Sequence, residues 1–133
     1  MKIFILFLFC SLSDKDIIKL LFLQIYVYIC SMIIDESNIN DYCTIGNPYD
    51  NSKVVIGCED CGITEIKYIP NNTVRIYCSH NNLTTLPKLP ESVMYVECKN
   101  NPNLPYAGIY LGSSKIKELR NRINMDLYLQ GKI

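Results

Sequence analysis

The sequence predicts an α/β repeat: a short solenoid with parallel strands, an extended polyproline II path on its convex side and helical caps at both ends. Three observations lead there. Cys58, Cys78 and Cys98 recur at intervals of twenty residues, each with an apolar residue two places before it. Ile56, Cys58, Ile63, Ile66, Ile69 and Pro70 align at that offset with Ile76, Cys78, Leu83, Leu86, Leu89 and Pro90. A period of this length marks units that cannot bury their apolar faces alone and have to stack. Finally, Leu86-Pro87-Lys88-Leu89-Pro90 cannot be a helix, because its prolines lack donors and clash with the preceding turn; it suits a polyproline II path.

Residues 1–34 are apolar but broken by Asp14-Lys15-Asp16 and Lys19. Lys2, the run from Ile3 to Phe9 and the small Ser11 and Ser13 fit a secretory signal. Leu20 to Ile34 is an apolar run of fifteen residues containing Gln24. That falls short of the roughly twenty needed for a membrane span, although membrane association through residues 1–34 stays open. In a third reading, Leu12 to Asp16 form the turn and N-cap of a helix from Ile17 to about Ile29 that caps the stack. Residues 35–52 are then linker and N-terminal cap, 53–105 the repeats, and 106–133 a C-terminal capping helix.

Within the repeats, Val54 to Cys58, Val74 to Cys78 and Met94 to Cys98 each read as a short strand whose inward residues are two apart. Stacking pairs them in parallel. At the following turn Asn81 and Asn101 can bond otherwise unpaired backbone groups of neighbouring units. The first unit has Cys61 there, as a further inward position. The third departs from the pattern at Pro102, with Leu104 one place late. Beyond it, Ser113 and Ser114 are expected N-caps for a helix with Ile116, Leu119, Ile123 and Leu127 on one face and Lys117, Arg120 and Arg122 on the other.

From Lys53 to Pro105 the chain follows L-x-x-L-x-L-x-x-N/C-x-L and resembles the leucine-rich repeat family. The words NNLTTLPKLPESVMYVECKNNPNL resemble its short Leu-Pro-x-Leu-Pro type, as in proteins of large DNA viruses and bacteria. Abundant Ile, Asn, Lys and Tyr without Trp resemble the viral members in composition. The repeat positions are Ile56, Cys58, Cys61, Ile63, Ile66, Ile76, Cys78, Asn81, Leu83, Leu86, Val96, Cys98, Asn101 and Leu104. Upstream, LSDKDIIKLL resembles the middle of an F-box, which implies a substrate adaptor for a ubiquitin ligase.

With 133 residues, 49% hydrophobic, and zero formal net charge, the chain is one small domain with accessories and carries no basic stripe. Nucleic acid is therefore not an expected partner. Seven cysteines leave at least one unpaired. Neighbouring strands lie about 4.7–4.9 Å apart, wider than the roughly 3.5–4.5 Å that a disulfide wants between Cβ atoms. Reduced thiols follow, and an intracellular setting such as a host cytoplasm is favoured over a secreted or membrane one. Asn71-Asn72-Thr73 and Asn82-Leu83-Thr84 are glycosylation sequons that matter only on export.

Cys58-x-x-Cys61 with Cys78-x-His80 has the look of a zinc set, but the repeat already demands inward residues at the three cysteines, so neither metal nor cofactor is expected. One histidine, no Gly-rich phosphate loop and no nucleophile beside a second base argue against an enzyme. Function is expected on the outward strand positions: Val55, Gly57 and Glu59; Arg75, Tyr77 and Ser79; Tyr95, Glu97 and Lys99. With His80 on the adjoining turn, Arg75, Tyr77, Ser79, Tyr95, Glu97 and Lys99 form the expected surface for a protein partner. The secreted or membrane-anchored repeat protein and the F-box-like adaptor are the alternatives.

Overall fold

The structure, a computed structural model, describes residues 13–30, 32–45 and 52–133. The chain forms two compact units, Met1–Ser31 and Met32–Ile133. In the first, a helix runs over Asp14–Cys30. It starts three residues before the predicted Ile17, because the Ser13 carbonyl accepts from the backbone N–H groups of Asp16 and Ile17. Asp14 and Asp16 then sit in its first turn, where the helix dipole favours negative charge. The secretory-signal residues Lys2, Ile3 to Phe9 and Ser11 lie outside the described residues. The Leu20 to Ile34 run is not one element: the helix closes at Cys30, and Ile33–Ile34 is a strand. Among the described residues no helix is long and apolar enough to cross a membrane.

The second unit contains β1 (Ile33–Ile34), a 3-10 turn (Ile39–Tyr42), β2 (Cys43–Ile45), β3 (Val54–Gly57) and β4 (Glu65–Ile66). It continues with β5 (Thr73–Tyr77), β6 (Tyr95–Glu97), β7 (Ile109–Leu111) and a C-terminal helix (Ser113–Leu129). Five strands pair in the order β2-β3-β5-β6-β7. The predicted parallel solenoid is corrected here: the sheet is small and mixed, with β2 and β7 antiparallel to the strands they border. Short flanking segments fold back against the outer strands, which needs no long crossover and covers edges that would otherwise offer unpaired backbone groups. β2 forms the sheet's N-terminal edge. The first return segment contains β4, paired in parallel with β1.

Within the five-stranded sheet only the three central strands are parallel, and there the twenty-residue offset is the pairing register: Val55↔Arg75↔Tyr95, Ile56↔Ile76↔Val96 and Gly57↔Tyr77↔Glu97. Alternation puts Ile56, Ile76 and Val96 inside, with Cys58, Cys78 and Cys98 just beyond the strand ends, all buried. Ile63, Ile66, Leu83, Leu86 and Leu104 complete the same core. Each such aliphatic residue contributes on the order of 1.5–3 kcal/mol.

The C-terminal helix buries Ile116, Leu119, Ile123 and Leu127, the face predicted from their spacing. Its N-cap is Gly112 instead of Ser113 or Ser114, with φ 85° and no side-chain cap. The chain must turn from β7 straight into the helix, and a glycine takes that left-handed backbone without strain. On the helix, Arg120 donates from its guanidinium to the Leu89 carbonyl and, at 2.6 Å, to the Pro90 carbonyl. The proline segment has few backbone donors to satisfy those acceptors itself.

Candidate binding face

Two asparagines tie together the chain where it leaves the central strands. The Asn81 Oδ1 accepts from the Cys61 and Ile63 N–H groups at 3.1 and 2.9 Å. Its Nδ2 donates to the Cys58 carbonyl at 2.8 Å and the Cys78 carbonyl at 3.1 Å. Asn101 repeats the arrangement twenty residues on, accepting from Leu83 N–H at 3.0 Å and donating to the Cys78 and Cys98 carbonyls at 3.0 and 3.1 Å. Each amide thus ties one twenty-residue segment to the segment before it. Asp60, His80 and Asn100, just upstream of these turns, have φ of 51°, 57° and 53°. Asp, Asn and His are the non-glycine residues that tolerate this region best.

On the solvent side, pairing sets Thr44, Val55, Arg75, Tyr95 and Leu111 in one row and Gly57, Tyr77, Glu97 and Ile109 in the next. The Tyr77 and Tyr95 rings meet with centroids 5.2 Å apart at 46°. The Tyr95 hydroxyl donates to the Glu97 carboxylate at 2.8 Å, and the Lys99 ammonium pairs with the same carboxylate at 3.0 Å. The bond to Glu97 is the chief reason the Tyr95 hydroxyl is pushed up to about 12. Tyr95 and then Lys99 hold the Glu97 carboxyl below its ordinary value. These contacts join Tyr77 to Tyr95 and Tyr95 to Glu97 on one face.

The predicted surface is partly brought together. Arg75, Tyr77, Tyr95, Glu97 and Lys99 share the face, and exposed His80 lies beside it with its Nε2 3.2 Å from the Asn100 amide nitrogen. Ser79 does not belong: it is buried, and its hydroxyl accepts from the Lys99 N–H at 3.1 Å. Cys61, expected inside, is exposed, with its thiol 3.2 Å from the Glu59 carbonyl. Missing from the sequence-based surface were Ile109 and Leu111 on β7, 51% and 69% exposed. Their one sequence cue, the alternation Ile109-Tyr110-Leu111 between Gly108 and Gly112, is too short to single out a strand.

Cys58 and Cys78 point into the core while Cys61 and His80 are at the surface, so the apparent zinc set does not converge. Among the described residues no cluster of His, Cys, Asp and Glu could hold a metal ion. A hollow of about 220 Å³ beside Lys88, Arg120 and Asn124 is occupied along one side by the Arg120 clamp on the proline segment. Comparison with protein-family models, with curated proteins and with solved structures finds no match to the chain.

Proposed function

We propose that the chain is a non-catalytic binding module that takes a protein partner on the solvent face of its five-stranded sheet. The observation that carries this is the company kept by the tyrosine pair: Tyr77 and Tyr95 lie in register with Glu97, Ile109 and Leu111 on one continuous face. Aromatic residues beside exposed aliphatics and a few fixed charges are what interface centres are made of. The proposed kinship with leucine-rich repeat proteins, on the twenty-residue register and the two asparagines, supports the same role.

Tyr77→Ala combined with Tyr95→Ala removes the centre of the face without touching the core. The far-UV circular dichroism should stay unchanged while capture of protein partners by the tagged chain falls; capture that persists with the double variant would remove this face from consideration.

Exposed Ile18, Leu21, Phe22 and Leu23 on the Asp14–Cys30 helix favour a second reading, an adaptor whose first unit docks ubiquitin-ligase machinery. It requires a ligase core to co-purify with the full chain and to be lost on deletion of residues 1–34. If no ligase core co-purifies, that reading fails.

A further inference from the structure

Resting on the sheet-face reading, we infer that the partner presents an extended segment in which a carboxylate docks on Arg75 beside an apolar side chain seated on Tyr95 and Leu111. One charge on this face is left over. Of the charged groups on the two rows, Glu97 is engaged by the Tyr95 hydroxyl and Lys99, and Lys99 is engaged in return. The Arg75 side chain is exposed and, among the described residues, has neither hydrogen bond nor ion pair. It stands between Val55 and Tyr95 in the register, so its guanidinium rises from apolar and aromatic neighbours.

A guanidinium is a planar fork of donors that matches a carboxylate with two parallel bonds, and such charge-assisted pairs are stronger than neutral ones. Glu59, on β3's continuation, forms no ion pair with it. The aliphatic side of the contact comes from Leu111, the residue directly across from Tyr95 on β7 and the more exposed of the strand's two aliphatics. Row one therefore reads cation, aromatic ring, aliphatic side chain, in that order across three neighbouring strands.

The test is selection of a displayed library of random peptides on the full chain, followed by affinity measurement of the winners. Enriched peptides should carry Asp or Glu close to an aliphatic or aromatic residue. Against Arg75→Glu they should lose about tenfold or more in affinity, the scale of a lost charge-assisted bond, while Arg75→Lys keeps part of the binding. Winners without an acidic residue, affinity indifferent to Arg75→Glu, or no enrichment at all would overturn the inference. Tyr77→Ala with Tyr95→Ala separates it from the reading beneath it. Peptides that ignore Arg75→Glu but are lost with the tyrosines leave the face standing without its carboxylate, and peptides that ignore both sink the face as well.

Discussion

At the scale of single residues, Asn81 does the work that a regular hydrogen-bond ladder does elsewhere. Its buried amide serves two N–H groups and three carbonyls, those of Cys58, Cys78 and Ser79. Truncation leaves buried backbone groups unpaired, at about 1–3 kcal/mol for each that water cannot reach. Asn81→Ala should therefore lower stability by about 2–4 kcal/mol in urea unfolding, with Asn101→Ala close behind; a loss below about 1 kcal/mol would mean that water replaces the amide. His80 makes a different demand. Its left-handed φ costs an ordinary side chain about 1–2 kcal/mol, which glycine avoids. Thermal melts should rank His80→Gly at or above the parent and His80→Val clearly below it.

At the scale of elements, three parallel strands deliver three thiols to one column, and burial sets their chemistry. Burial, then the neighbouring Cys61 and Glu59, push the Cys58 thiol up to about 12, and burial drives Cys78 well above its ordinary value. In the unfolded chain the same thiols ionise near pH 8.5. Protonated thiols thus favour the fold; their contribution is whole below about pH 8.5 and is lost as pH rises toward 12. Urea midpoints should fall between pH 8 and 11, and Cys78→Ala should flatten the slope; an unchanged slope would place the alkaline loss elsewhere. Native alkylation followed by peptide mapping should modify Cys61 and spare Cys58, Cys78 and Cys98. The core of these elements was legible in the sequence because the buried positions recur at a fixed offset. The edges were not, since β2 and β7 are three residues each and give too few alternations to stand out. Cys61 was misplaced for a physical reason: each asparagine reaches back to the backbone of the segment before it, whereas β2, ahead of the first segment, runs antiparallel and is not a twenty-residue unit. The same offset overextended the surface to Ser79, whose hydroxyl is spent on the Lys99 N–H.

At the scale of the whole molecule, the buried apolar residues from Ile34 to Leu127 form one core within Met32–Ile133. Both ends of the five-stranded sheet are finished inside that unit by antiparallel strands. Its far side is closed by the C-terminal helix, through the Arg120 bonds and a 2.8 Å bond from the Thr85 hydroxyl to Asp126. Tyr106 adds a further tie, its hydroxyl accepting from the Leu86 N–H at 2.7 Å. A chain of about a hundred residues with one continuous core is large enough to fold unaided. Residues 32–133 expressed alone should then unfold in a single cooperative transition and keep the near-UV tyrosine signal of the full chain. Leu86→Asp in that fragment should abolish both, because it puts an unpaired charge where Leu86 is fully buried against the core. A fragment that shows strand-like far-UV circular dichroism without a fixed tyrosine signal would mean that residues 1–31 contribute packing, and the independence of the second unit would be lost.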